Sequence, residues 1–444
     1  MTWLRDIAKL LRHLSGDERG AAFLVFAFGL FLTLGGMALA FDLTRFFSAK
    51  ARLSFAVEMA AVAAAQNLPF LEEEELLTLA RDIAAANFDG AAFFSYATDA
   101  PPAISLGLLP NETGAEITVT GETLVPTTLL RALQFFDDVT VSSMVTARAE
   151  QPEMELALVI EASEAFAADG RLQEVALAAA DFVNAFGTAY SSGDGARFAV
   201  VPVGNEFVNI APHDDWVMEG VWPINIPPQI PGTTDWEGEL AEDRWCVSPR
   251  AGSAGEDDTP PDLAPFPLVL SLTSTPDPGT GLPHFENVTT ASCRADRILP
   301  LSDPAATVAA LSGLSGNGVA THGRAMIWAE RSLSPGWREA WNVSPPHPVE
   351  YDDAAVSKAV LLVAGSNLAD AVEEARFLTT CTRLREQGVV IYVVDYLAPA
   401  ASSSALQQCG GAAAHYFRTE TDLAMREAFF SLAKFLTIVR FPGA

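Results

Sequence analysis

From Ala21 to Phe41 the chain carries no charged side chain. At about 1.5 Å of helical rise per residue, a run of this length crosses the roughly 30 Å hydrocarbon core of a bilayer. Arg5, Lys9, Arg12 and Arg19 precede the run, and Asp42, Arg45, Lys50 and Arg52 follow it. That slight basic bias places the N-terminus on the cytoplasmic side and the bulk of the chain outside. A cleaved signal peptide is the rival reading, but its apolar core is ordinarily only about 7–15 residues. Past the run, Phe46, Leu53, Val57, Ala60 and Ala64 keep helical spacing, with no proline before Pro69. A helix that continues in register beyond the membrane is expected of a retained anchor.

The 444 residues exceed one ordinary domain. A net charge of -29 argues against nucleic acid as a partner, because a phosphate backbone calls for clustered Lys and Arg. Only 19% of residues are charged, so the composition is not that of a disordered acidic tail. The four cysteines, Cys246, Cys293, Cys381 and Cys409, form no CxxC pair and no zinc-ligand spacing. In an exported domain their even number and spacing lead us to expect Cys381–Cys409 and Cys246–Cys293 disulfides; four buried thiols are the alternative.

Around the anchor the sequence reads Asp17-Glu18-Arg19-Gly20-Ala21, the apolar run, Phe41-Asp42-Leu43-Thr44-Arg45, and then the Ala-rich stretch Val57 to Ala65. Over residues 17–67 this resembles the N-terminal segment of TadE/TadG-like proteins of the bacterial Tad (tight adherence, Flp-type) pilus-assembly systems. The small residues of the Ala-rich flank are expected to suit lateral packing of pilin-like helices. The resemblance implies an inner-membrane protein with a periplasmic C-terminal part.

Residues 68–150 read as a small α+β stalk. Glu72–Ala86 is amphipathic, with Leu76, Leu79, Ile83 and Ala86 on one side and carboxylates in its first turn, where they oppose the helix dipole. Pro101, Pro102 and Asn111–Gly114 mark loops, and Glu116–Thr120 and Val139–Ser142 alternate like strands.

From Met154 onward strand and helix signals alternate. Apolar runs at Leu156–Ile160, Phe198–Val203, Ala359–Val363 and Val389–Val394 are separated by helical periodicity at Leu172–Phe186, His322–Leu333, Leu368–Glu386 and Leu423–Val439. Continuous apolar strands between amphipathic helices predict a doubly wound, mostly parallel α/β sheet over residues 151–441. The working division is therefore 1–20 cytoplasmic, 21–67 anchor helix, 68–150 stalk and 151–441 head.

The order of these elements is similar to a von Willebrand factor A-type domain, which TadG-type proteins carry after their anchor. The stretch Gly323–Trp337, the pair Tyr416-Phe417 and the placing of Cys381 and Cys409 strengthen that likeness, which extends over 154–210 and 293–441. The family's signature is an Asp-x-Ser-x-Ser loop, a Thr in a Gly-rich loop and an Asp after the fourth strand, together holding a divalent cation. Here the first loop reads Glu161-Ala162-Ser163-Glu164-Ala165, Ala320 stands where the threonine belongs, and Ala364 replaces the aspartate. Only Ser163 matches, Glu161 is a longer substitute, and three oxygen ligands have become methyl groups. We therefore expect no bound metal and no other cofactor; Thr321, one position from the expected slot, is the only rescue.

An insertion at about 205–294 departs from the likeness. It is rich in proline, from Pro223 to Pro267, with the acidic cluster Glu256-Asp257-Asp258. A solvated loop is the plain reading. Trp216, Trp222, Trp236 and Trp245 argue instead for a partly ordered flap stapled by Cys246–Cys293. His13, His213, His284, His322, His347 and His415 lie in no HExxH motif, no Ser lies in GxSxG, and His213-Asp214-Asp215 reads as a loop charge run. We expect no enzyme and no small-molecule substrate, but a membrane-anchored assembly component contacting other pilus-assembly or envelope proteins. The alternative is a metal-dependent adhesin head binding an external ligand.

Overall fold

The computed structural model describes residues 18–68, 70–88, 101–111, 114–127, 131, 138–150, 153–187, 195–205, 207–217, 246–267, 271–276, 283–289, 296–368, 370–436 and 438–440. The chain divides into two compact units.

The first unit is built on helix α1 (Glu18–Asn67), one continuous helix of 50 residues. It is the one helix among the described residues long and apolar enough to cross a membrane, a description a signal sequence also meets. Phe23, Leu24, Val25, Phe26, Phe28 and Phe31 all point outward, Val25 at 73% exposure. An exposed apolar sleeve of that size is what a membrane-crossing helix or a signal sequence presents. Beyond it the same helix turns inward: Leu53, Ala56, Val57, Ala60, Ala61, Ala64 and Ala65 are fully buried. They pack on α2 (Glu73–Asn87), whose Leu76, Ala80 and Ala84 are buried in return. The Ala-rich flank, expected above to serve association between chains, is thus consumed within its own chain. The main chain N–H of Glu72 donates to the Glu75 carboxylate at 3.2 Å, fixing the start of α2.

Strands β1 (Ala103–Asn111), β2 (Gly114–Pro126) and β3 (Asp138–Glu150) lie side by side in that order. In β2 the residues Ile117, Val119, Gly121, Thr123 and Val125 are buried in strict alternation. A Cβ on Gly121 would sit 2.5 Å from Val57 Cγ2 of α1, so glycine is what lets sheet and helix close together. Strand β1 goes unread in the sequence because Pro101 and Pro102 precede it and Pro110 lies inside it. It forms the sheet edge, where a residue without an N–H is tolerated.

The second unit is a mixed α/β layer structure. Its parallel strands are β4 (Glu153–Glu161), β5 (Ala196–Val203), then further along the chain those introduced below as β11 to β13. Two short antiparallel pairs intervene, β6 (Val208–Asn209) with β7 (Cys246–Val247) and β8 (Ser271–Pro276) with β9 (Pro283–Thr289). Then come β10 (Leu299–Ser302), β11 (Val356–Ala364), β12 (Val390–Tyr396) and β13 (Tyr416–Thr419). The spatial order is β10-β5-β4-β11-β12-β13, with only β10 antiparallel. The helices are α3 (Glu164–Ala168), α4 (Arg171–Gly187), α5 (Pro304–Ser312), α6 (His322–Leu333), α7 (Arg338–Trp341), α8 (Ala371–Glu386), α9 (Ala400–Gly410) and α10 (Asp422–Leu436).

Both sheet faces are covered, which is why the strands are apolar throughout. Ala157, Val159, Val201, Leu362 and Val393 face a core shared with Met326 and Ala329 of α6, Phe377 of α8 and Leu406 of α9. On the other face Phe198 meets Phe182 and Phe186 of α4 at ring centroid distances of 6.4 and 6.3 Å, and Phe182 meets Phe429 of α10 at 6.0 Å.

The mostly parallel α/β reading holds, with two local corrections. Helix α8 starts at Ala371, where the Asp370 carboxylate caps Val372 N–H at 2.8 Å and Glu373 N–H at 2.9 Å. The last helix ends at Leu436, and β-branched Ile438 and Val439 belong to strand β14 (Ile438–Arg440), the fourth strand of the first unit's sheet. Cys381 of α8 and Cys409 of α9 form a disulfide. Cys246 is also disulfide-bonded, while Cys293 lies outside the described residues, as do Trp222, Trp236 and Trp245.

Candidate functional site

Strand connections leave β4 toward β5 on one side and β11 toward β12 on the other. The carboxyl ends of β4 and β11 therefore flank the point where strand order reverses, the place where open α/β sheets form ligand crevices. Register puts Ile160 beside Val363 and Ala364 beside Asp395, so Glu161 and Gly365 emerge next to each other.

Glu161 is fully buried. Its Oε1 accepts from the Ser163 hydroxyl at 2.9 Å, and its Oε2 accepts from the N–H groups of Gly365 at 2.7 Å and Ser366 at 3.1 Å. His322 Nε2 lies 3.4 Å from the same Oε2, with neither side chain exposed. Burial pushes the Glu161 carboxyl up, but the nearby His322 ring, with the donors at Gly365 and Ser366, outweighs it and holds the group at about 2. A Cβ on Gly365 would stand 2.5 Å from both Phe166 Cε2 and the Tyr396 carbonyl. Only glycine brings that N–H within reach of the carboxylate.

The other sequence-selected positions are occupied by structural work. Ser163 accepts from Phe166 N–H at 3.3 Å as the cap of α3. Ala165 is exposed on α3, whereas Ala320 and Ala364 are buried in the core. The Thr321 hydroxyl donates to the Gly204 carbonyl at 2.8 Å. Among the described residues no group of three or more His, Cys, Asp or Glu side chains is placed to hold a metal. Sequence reasoning missed His322. It sits in the Gly-rich loop directly after Thr321, but nothing local marks it as a partner for a residue 161 positions earlier.

Above this closed floor the loops expose apolar side chains: Val319 at 68%, Val372 at 65% and Leu397 at 46%. Leu397 holds a left-handed φ of 61°, a conformation few branched residues adopt, and its N–H donates to Thr419 O at 3.1 Å.

Two other clusters prove structural. His213 stacks on Trp216 with centroids 4.0 Å apart. The acidic cluster is held by side chains of distant helices. Glu256 binds Arg376 at 2.6 Å and Arg324 at 3.3 Å, Asp258 accepts from the Ser334 hydroxyl at 2.6 Å, and Asp257 O accepts from Arg331 at 3.1 Å. Arg331 is itself buried, 4.7 Å over the Trp328 ring. Residues 246–267 of the presumed insertion are thus an integral layer on α6 and α8. The arginines that hold this part of the 205–294 insertion are spread over distant helices. At the opposite end of the sheet buried Glu155 binds His347 at 2.7 Å and Lys358 at 2.6 Å. Burial raises its carboxyl, and those two partners with Val349 N–H bring it below the usual range.

No known protein family matches the chain, and no curated protein does. Solved structures similar to it include proximal thread matrix protein 1 from the mussel byssus, at 13% identity and a TM-score of 0.32, covering 66% of this chain and 48% of that one. A von Willebrand factor type A protein from Catenulispora acidiphila shows 12% identity and a TM-score of 0.31 over 75% of this chain and 49% of that one. The pilus adhesin SpaC from Lactobacillus rhamnosus GG shows 9% identity and a TM-score of 0.37 over 79% and 37%. The chain thus spans about half or less of the length of these proteins, and likenesses this distant assign it no activity.

Proposed function

We propose that this is a single-pass envelope protein of a Tad-type pilus system, with a doubly wound A-type head that contacts other assembly proteins rather than catalysing a reaction. The observation that carries this reading is the loop face at the carboxyl ends of β4 and β11. The buried Glu161 carboxylate is spent inside the protein, while Val319, Val372 and Leu397 stand exposed on the loops. Such a surface recognises a protein by shape and apolar contact. The strand order, first strand central and third at the edge, supports the A-type assignment, and the residues quoted from 17–67 support the Tad-type anchor. A metal-dependent adhesin would need further oxygen ligands where this chain has Ala165, Ala320 and Ala364.

The test combines orientation with contact. Alkaline phosphatase, active only after export, is fused after Ala444, and a photo-crosslinking residue replaces Val319 or, as a control, exposed Leu177 of α4. Active phosphatase and crosslinks from Val319 to pilus-assembly proteins are expected. A cytoplasmic reporter, or crosslinks from Leu177 alone, would overturn the reading.

A further inference from the structure

Three loops converge on one carboxylate. Glu161 closes β4, takes the Ser163 hydroxyl from its own turn, takes the Gly365 and Ser366 N–H groups from the turn after β11, and faces His322 at the start of α6. Asn317 N–H donates to Ala162 O at 3.0 Å and Glu164 N–H to Gly318 O at 3.0 Å, so the Gly-rich loop is tied to the same turn. An ionised carboxylate only accepts, so the 3.4 Å contact is attractive where the facing His322 nitrogen holds a ring proton. Neither ring nitrogen of His322 makes a hydrogen bond among the described residues, so the 3.4 Å ionic contact of Nε2 with Glu161 is what links the ring to the carboxylate. The ring otherwise packs edge-on against Phe377, with centroids 6.5 Å apart.

We infer that His322 is a positioning residue: with Glu161 it forms a buried latch that pins the loops carrying Val319 and Ser366 in one arrangement. The latch does not depend on what, if anything, those loops bind. Its physical signature is non-additivity. Removing the ring takes one contact from a carboxylate that keeps its Ser163, Gly365 and Ser366 donors, and neutralising the carboxylate leaves the buried ring nitrogen facing no charge, whereas changing both leaves neither mismatch. In Glu161→Gln the amide oxygen still accepts from Gly365 and Ser366, and the amide N–H₂ meets the Ser163 hydroxyl, which can rotate to accept.

Amide hydrogen exchange on the full chain in lipid nanodiscs tests this with wild type, His322→Phe, Glu161→Gln and the double variant. Phenylalanine keeps the packing on Phe377 and deletes the donor. In His322→Phe, residues 316–321 and 365–368 should exchange roughly tenfold faster or more, while strands β4 and β11 stay protected. In Glu161→Gln/His322→Phe the acceleration should fall to less than about half of that, on a logarithmic scale. Wild-type exchange in His322→Phe, or strictly additive effects, would overturn the latch and show that the ring only packs. Should His322→Phe not accumulate, the double variant still must, since it leaves no buried charge unpaired; its failure to accumulate would likewise overturn the inference.

Discussion

Glu161 shows how far one side chain depends on others distant in sequence. Its carboxyl is held at about 2 against an ordinary value of 4.5. A group whose folded value is depressed contributes stability that is complete above the unfolded value and is lost as pH falls through the folded one. The window is therefore from about 4.5 down to about 2, and the contribution at neutral pH is on the order of 3 kcal/mol. Urea unfolding of the full chain should show this component as a decline in stability below about pH 4.5, and the decline should shrink in Glu161→Gln. An unchanged acid limb in that variant would mean that other carboxylates, such as Glu155, dominate it.

At the scale of elements, contacts that look local in sequence turn out to be partnerships. Helices α8 and α9 flank strand β12 and are joined by Cys381–Cys409, across 28 residues of sequence. Cross-linking a loop of that length removes about 3–4 kcal/mol of unfolded-chain entropy. Cys381→Ala/Cys409→Ala should therefore unfold at lower urea by that amount, measured under oxidising conditions; a change under about 1 kcal/mol would show that packing on β12 alone holds the pair. The layer at 246–267 has the same character. Its Pro-rich, acidic sequence reads as a loop, yet Arg324, Arg331, Arg376 and Arg383 hold it, and Trp337 Nε1 donates to Asp258 O at 2.6 Å. Burying charges in this way is favourable only where each one meets its partner.

For the whole molecule, the decisive prediction is indifference to divalent cations. A native-state site of micromolar affinity at millimolar Mg²⁺ would add roughly 4 kcal/mol. Thermal melts of the full chain with EDTA, Mg²⁺, Ca²⁺ or Mn²⁺ should superimpose, and a rise of several degrees abolished by Ser163→Ala would show a working cation site. The sequence alone determined the apolar span, the long helix that continues past it, the apolar strands of a mostly parallel sheet and the methyl side chains at Ala165, Ala320 and Ala364. These follow from periodicity and residue chemistry, which act over a few positions at a time. Only the tertiary structure decided that the Ala-rich half of α1 is buried on α2 and on β2, that the half-exposed Glu256-Asp257-Asp258 is held by residues of distant helices, and that His322 faces Glu161. Each of these depends on groups brought together from distant parts of the chain. Burial, which sets the worth of a charge or a hydrogen bond, is a property of the assembled fold and of no local stretch of sequence.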